Sequence, residues 1–200
     1  MGGPKALLRW TDDQPLAVAH AEIGAAVCAR VVVVARASVA LILRPQLPIG
    51  ILVTSTAPGS LGPAGSIAAA VRAGVLESMR WVLLAPVDGI PAAPKTILAL
   101  CHAAASCAQS VHAVRPCFEG RRGHPVLVRS DVVADAYLVH RPLPLRDVLR
   151  GLACVEVSVD DPSVAADLNT PEAYRARVGT APCFDVGWRD RMASKPCPIW

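Results

Sequence analysis

Val31-Val32-Val33-Val34 constrains this chain more than any other feature. Four β-branched residues in a row are stiff at χ1 and carry no polar alternation, so they read as a strand buried on both faces. The Ala-rich stretch from Pro15 to Arg30 has helical character and runs directly into them. A helix feeding a doubly buried strand implies an α/β architecture with a parallel sheet. The core chemistry agrees: apolar residues make up 53% of the chain and aromatics only 4%. Small aliphatic side chains pack helices closely onto a sheet. Two hundred residues suit one globular domain.

Further along, Leu41 to Leu43 and Ile51 to Thr54 read as short strand pieces separated by Pro45 and Pro48, connecting structure with one edge strand. The Gly- and Pro-rich loop Pro58 to Ser66 precedes an apolar-periodic helix from Ile67 to about Met79. A loop opening onto a helix N-terminus can hold a phosphate or a base edge, or it can be a plain capped turn. Trp81 to Leu84 is strand-like and stops at Ala85-Pro86-Val87-Asp88-Gly89, which puts Asp88 just past a strand's carboxyl end. That edge of an open α/β sheet is where ligands bind, so Asp88 is a natural metal ligand; the other reading has it capping the turn before a helix at Lys95 to Ser106.

Val111 to Cys117 reads as a strand. Phe118 to His124 has hairpin composition before Pro125 to Val128 resumes an extended run. Its basic, glycine-bearing tip suits either an anionic ligand or a solvated turn. A helix at Leu145 to Leu152 and a strand at Cys154 to Val159 follow. Thr170 before Pro171 and Glu172 is a helix start, with the threonine oxygen as cap and proline in the first turn. The cap leaves Asp167 and Asn169 as oxygen-bearing side chains beside a rigid helix end. Residues 1–184 read as one domain, and residues 185–200 as an irregular tail without periodicity.

The charge of +4 at pH 7 is scattered apart from Arg121 and Arg122. It is too weak and dispersed for a nucleic-acid surface, while it suits phosphorylated ligands. Seven cysteines, an odd number with no C-x-x-C pair, argue against a disulfide framework and a zinc site and point to a reducing cytoplasm. The most apolar region, Ala25 to Leu43, contains Arg30 and Arg36, which argues against a membrane span. Met1 to Gln14 lacks an apolar run of signal-peptide length.

In order along the chain stand Gly2-Gly3-Pro4-Lys5-Ala6-Leu7-Leu8, Gly62-Pro63-Ala64-Gly65-Ser66, Pro86-Val87-Asp88, Arg122-Gly123-His124-Pro125-Val126 and Asp167-Leu168-Asn169-Thr170-Pro171-Glu172. This ordered set, running from Met1 to about Phe184, resembles the molybdenum-cofactor nucleotidyltransferases, the guanylyl- and cytidylyltransferases of molybdopterin. The resemblance implies a Rossmann-like, mostly parallel sheet flanked by helices, of the nucleotide-diphospho-sugar transferase kind. It implies an enzyme that moves CMP or GMP from CTP or GTP onto the phosphate of molybdopterin, with Mg²⁺ as cofactor. Lys5 would neutralise the NTP phosphates, and Asp88 and Asp167 would hold the metal. Gly2, Gly3, Gly65 and Ser66 would line the nucleotide pocket. Gly123, His124 and Pro125, more typical of the cytidylyl branch, would line the nucleotide or pterin side of the cleft. A molybdoenzyme client is a further implied partner.

The resemblance has one departure. Members of that family open with a hydrophobic strand and a loop of the form L-A-G-G-x-S-x-R-M-G-x-P-K, whereas here Met1 occupies the Met of the pattern. The absent strand would be central in the sheet, and the absent loop would bind base and triphosphate through backbone N–H groups. Either the start lies upstream, or the protein is a degenerate relative that binds a cofactor or a molybdoenzyme; the joint presence of Lys5, Asp88 and Asp167 favours the first. A sugar phosphate or another phosphorylated metabolite is the alternative acceptor.

Overall fold

The computed structural model describes residues 3–11, 14–56, 62–138 and 143–184. Gly2, residues 58–61 of the Gly- and Pro-rich loop and the tail 185–200 lie outside the described residues.

The Ala-rich stretch folds as α1 (Leu16–Val27) and the valine run as β1 (Val32–Arg36). The run is a strand, but it is half-buried, not buried on both faces as expected, because β1 has a strand neighbour on one edge alone among the described residues. A short helix α2 (Ala37–Leu43) then leads to β2 (Leu52–Thr56), which pairs with β1 in parallel from Val32↔Leu52 to Arg36↔Thr56. Leu41 to Leu43 are therefore helical, not a strand. Val39, Ala40, Ile42 and Leu43 are buried at spacings that share one helical face. A short apolar run cannot show that periodicity unless its neighbours are counted in.

Helix α3 (Gly62–Arg72) follows, then β3 (Trp81–Leu84) and α4 (Pro94–Ser106). Contrary to the expected boundaries, α3 begins five residues before Ile67 and stops seven before Met79. Gly74, at φ +69°, accounts for the early stop, because a glycine in the left-handed region is a common way to end a helix. The second sheet continues with β4 (Ala113–Phe118), β5 (Arg121–Arg122), β6 (Val126–Arg129) and β7 (Cys154–Ser158). Helices α5 (Ser130–Tyr137), α6 (Leu145–Arg150) and α7 (Pro171–Val178) complete the order, α5 being absent from the sequence reading.

In the larger sheet β3 pairs antiparallel with β6, β6 antiparallel with β4, and β4 parallel with β7. Strands β3, β4 and β7 thus point the same way and β6 runs against them. The short strand β5 turns back on β4 through Glu119 (φ +48°) and Gly120 (φ +75°), the two positive φ values that a tight hairpin requires.

Strand β1 bonds only to β2, and β3 only to β6, so each keeps one edge without a ladder among the described residues. Helices cover both sheets. Ala17 and Val18 of α1 share a cluster with Val33 and Ala35 of β1, while Ile23 and Val27 share one with Leu83 of β3. On the other side, α3 touches β1 and β2 and packs Ala64 and Ala68 against Val126 and Val128. The fold is the expected α/β one, a sheet flanked by helices. Among the described residues no helix is long and apolar enough to cross a membrane.

Candidate active site

Three chain segments meet beyond the carboxyl end of β3. The first is the single 3₁₀ turn Lys5–Leu7, pinned by the fully buried Leu7 and Leu8. The second is the turn Pro86–Gly89, closed by Gly89 N–H donating to the Pro86 carbonyl at 3.2 Å. The third is Asp167–Asn169. Leu168 is completely buried, with Tyr174, Leu8 and Leu16 in the same cluster. Its neighbours Asp167 and Asn169 are exposed, as the alternation of an extended chain demands. A short ladder joins the second and third segments. Gly89 and Asp167 form an antiparallel bridge, and Leu168 N–H donates to the Asp88 carbonyl at 2.8 Å.

On this frame the Lys5 ammonium lies 3.4 Å from Asp88 Oδ2 and also donates to Asn169 Oδ1. A cation is thereby held between two oxygen donors from segments more than eighty residues apart. The Asp88 side chain is 45% exposed, so the pair adds little stability, at most about 1 kcal/mol. Its interest is chemical. Asp167 turns Oδ1 back to its own segment, accepting from Asn169 N–H at 3.2 Å. It also borders a hollow of about 260 Å³ with Ile90 and Ser163.

Two histidines flank Asp88. His20, on α1, donates from Nε2 to the Gly89 carbonyl at 3.1 Å; the carbonyl can only accept, which sets the tautomer. Burial pushes His20 below its ordinary pKa, with the Gly89 bond and the Asp88 charge opposing in part. His124 stands at the hairpin. Although His124 is exposed, desolvation by neighbouring atoms pulls its pKa down as well, against the pull of Asp88 and with help from Arg115.

The hairpin is clamped onto the turn that leads to Asp167. His124 N–H donates to the Val164 carbonyl at 2.9 Å, and Arg121 donates to the Ala165 carbonyl at 3.1 Å. Gly123 lies so close that a methyl group there would meet the Val164 oxygen at 2.1 Å. From below, Asp161 ties the 3₁₀ turn Pro162–Ala165 to the start of α4. Its carboxylate accepts from Ala93 N–H at 2.9 Å, Thr96 Oγ1 at 2.7 Å, Ser163 N–H at 3.1 Å and the Ser163 hydroxyl.

Of the residues singled out from sequence, Lys5, Asp88 and Asp167 come together, with Gly123, His124 and the buried Pro125 beside them. Gly65 and Ser66 sit inside α3, not in a loop, and Ser66 bonds back to the Gly62 carbonyl at 3.4 Å. Gly3 is half-buried ahead of the Lys5 turn. His20 escaped the sequence reading, since a lone histidine in an Ala-rich helix is ordinarily a core residue; its only signal was being the one polar side chain between Leu16 and Ala21. Asn169 was visible as an unexplained polar residue, but its role emerged only with its contact to Lys5.

Residues 1–157 match the MobA-like NTP transferase domain family. Among solved structures, Rv0371c from Mycobacterium tuberculosis H37Rv superposes with a TM-score of 0.74 at 18% identity, over 90% of this chain and 91% of that one. The same protein has been solved in complex with manganese. Molybdopterin-guanine dinucleotide biosynthesis protein A from Archaeoglobus fulgidus gives a TM-score of 0.62 at 18% identity, covering 89% and 90%. The 2-C-methyl-D-erythritol 4-phosphate cytidylyltransferase from Thermus thermophilus gives 0.60 at 15% identity, covering 89% and 93%. No curated protein is matched by the sequence.

Proposed function

Because this chain belongs to the MobA-like NTP transferase domain family and is a nucleotidyltransferase, we propose that it transfers CMP or GMP from CTP or GTP to the phosphate of molybdopterin in a Mg²⁺-dependent reaction. The observation that carries the reading is the convergence of Lys5, Asp88 and Asn169 at one point past the end of β3.

In the reaction an oxygen of the acceptor phosphate forms a bond to the α-phosphorus. The bond from that phosphorus to the bridging oxygen breaks, and pyrophosphate leaves with the electron pair. The acceptor oxygen is already anionic at neutral pH, so no strong base is needed; the task is to hold two anions in line and spread the charge. Lys5 suits this work, since among the described residues its ammonium has a half-exposed carboxylate and an amide oxygen to leave when it turns to a phosphate. The residues present fit a hard divalent cation. The donors around Lys5 are oxygens, and they already hold a positive charge. Mg²⁺ takes one or two carboxylates and completes its shell with phosphate and water. Asp88 and Asp167 would hold it, and when bound it neutralises charge on the nucleotide phosphates. His20 and the Leu168 N–H hold the Gly89 and Asp88 carbonyls, the backbone on the carboxyl side of Asp88, and so help to set where its carboxylate stands.

A second reading keeps the reaction and changes the acceptor to a sugar phosphate or another phosphorylated metabolite. It is favoured by the structural likeness to a cytidylyltransferase whose acceptor is methylerythritol phosphate. A cytoplasmic setting, and a molybdoenzyme receiving the product, belong to the first reading.

The test begins with calorimetric titration of the protein with CTP, GTP and ATP in the presence of Mg²⁺, followed by pyrophosphate release with molybdopterin and with a panel of phosphorylated acceptors. Selective CTP or GTP binding names the base, and turnover with molybdopterin names the acceptor. Asp88→Ala should lower turnover by at least about 100-fold, the scale of a lost transition-state charge contact. Unchanged turnover in that variant would sink the metal assignment.

A further inference from the structure

Arg115 on β4 stands opposite Glu156 on β7, and two residues along the same face of β4 Cys117 stands opposite Arg122 of β5. Alternation brings the Arg115, Arg122 and Glu156 side chains together. One oxygen, Glu156 Oε1, accepts from Arg122 Nε at 2.6 Å and from Arg115 Nη2 at 3.3 Å. Two guanidinium groups therefore share one carboxylate, leaving about one unit of positive charge uncompensated. Donors are left over as well: Arg115 Nε is buried without a hydrogen-bond partner among the described residues, and Arg122 reaches Glu156 through Nε alone.

The ion pair by itself does not require this arrangement. A single arginine satisfies a carboxylate with two parallel bonds, and an unpartnered buried donor costs free energy. The cluster also borders the site. His124 is close enough to Asp88 and to Arg115 to feel both charges. Arg122 is joined to Gly123 and His124 through the chain, and those residues grip the turn leading to Asp167. Arg115 is 18% exposed and Arg122 62% exposed, one arm set by packing and the other held to Glu156 but open to solvent.

We propose that Arg115 and Arg122 form the subsite for the acceptor's phosphate monoester, with Glu156 occupying donors of the two guanidinium groups until that anion displaces it. The inference rests on the nucleotidyl-transfer reading and deepens it. A planar guanidinium presents paired donors that match phosphate oxygens, and two of them on adjacent strands would bring the second anion to the nucleotide site. Glu156 lowers the net charge of the pair, so that a weak anion such as chloride is held poorly and a dianion is favoured.

The experiment uses the full chain and inorganic phosphate as the probe, titrated at constant ionic strength, with Mg²⁺–CTP and Mg²⁺–GTP titrated separately. Arg122→Gln and Arg115→Gln should each weaken phosphate binding about tenfold or more, the loss of a charge-assisted bond. Glu156→Gln should strengthen it, because both arginines are then released; Mg²⁺–nucleotide affinity should stay within about twofold in all three. Arg122 is mostly exposed, so its variant tests the idea even where Arg115→Gln does not fold. Equal phosphate affinity in wild type and Arg122→Gln overturns the proposal, as does a Glu156→Gln protein that loses phosphate as the arginine variants do. Equal weakening of nucleotide and phosphate by Arg122→Gln would assign the cluster to the triphosphate and overturn the acceptor assignment. Absence of nucleotide binding in every protein would count against the nucleotidyl-transfer reading, while the phosphate titration still decides whether the cluster binds an anion.

Discussion

Replacing Gly123 by alanine places a methyl carbon 2.1 Å from the Val164 carbonyl oxygen, 2.5 Å from its carbonyl carbon and 2.9 Å from its Cβ. Close carbon–oxygen approaches in proteins begin at about 3.3 Å, so the hairpin and the turn at Val164 must separate by about 1 Å. Neither side yields easily, because the obstacle is backbone. The separation removes the bond from His124 N–H to the Val164 carbonyl, now 2.9 Å. Overpacking of this kind costs about 1–3 kcal/mol, and the lost bond about 0.5–1.5 kcal/mol. The expected destabilisation is about 2–4 kcal/mol, out of the roughly 5–15 kcal/mol that stabilises a domain. The damage reaches the site, since the same turn leads to Asp167. A shift of about 1 Å can cost about 100-fold in turnover. Urea unfolding followed by tryptophan fluorescence gives the first number, and pyrophosphate release the second. Gly151→Ala is the control: its added methyl would lie 3.9 Å from the Val148 carbonyl, at a φ of −87° that alanine tolerates. A Gly123→Ala protein within about 0.5 kcal/mol of wild type, the range of ordinary surface changes, would refute the argument.

Tyr137→Phe should stabilise the protein by about 1 kcal/mol. The hydroxyl is buried with no partner among the described residues, and burial pushes its pKa up to about 12. A lower melting temperature in that variant would contradict the assignment. Acidification should reduce stability in two windows. His20 and His124 bind their protons more weakly folded than unfolded, mainly through burial, so their contribution is complete above the ordinary value of 6.5 and is lost as pH falls below it. For Asp161 burial raises the pKa, but its four hydrogen bonds outweigh burial and the net shift is downward; its contribution is present above 3.8 and is lost as pH falls further. Unfolding free energy measured against pH should show both declines, and Asp161→Asn should keep the first and lose the second. A profile flat from pH 7 to 5 would rule out the histidine part.

The valine run, the Thr170 cap and the position of Asp88 were legible because each depends on neighbours in the chain. β-Branching makes Val32–Val34 a strand wherever it is packed, and Thr170 Oγ1 accepts from Ala173 N–H at 3.1 Å as local cap geometry dictates. Leu41 to Leu43 were not legible, since three apolar residues carry neither period and only burial of the α2 face against Val18 and Leu7 decides between them.

The site divides in the same way. Its chemical types, a lysine, two aspartates and a glycine-histidine-proline hairpin, were present in sequence as spaced motifs. Their assembly depended on contacts over long chain separations: the bridge of Gly89 with Asp167, the reach of Lys5 to Asn169, and the support of His20 beneath Gly89. The sequence by itself determined which groups are available and which short segments are rigid, because propensity, capping and turn chemistry act within a few residues. Tertiary structure alone decided that Arg115, Arg122 and Glu156 share one face, because strand register is set by the packing of the whole sheet.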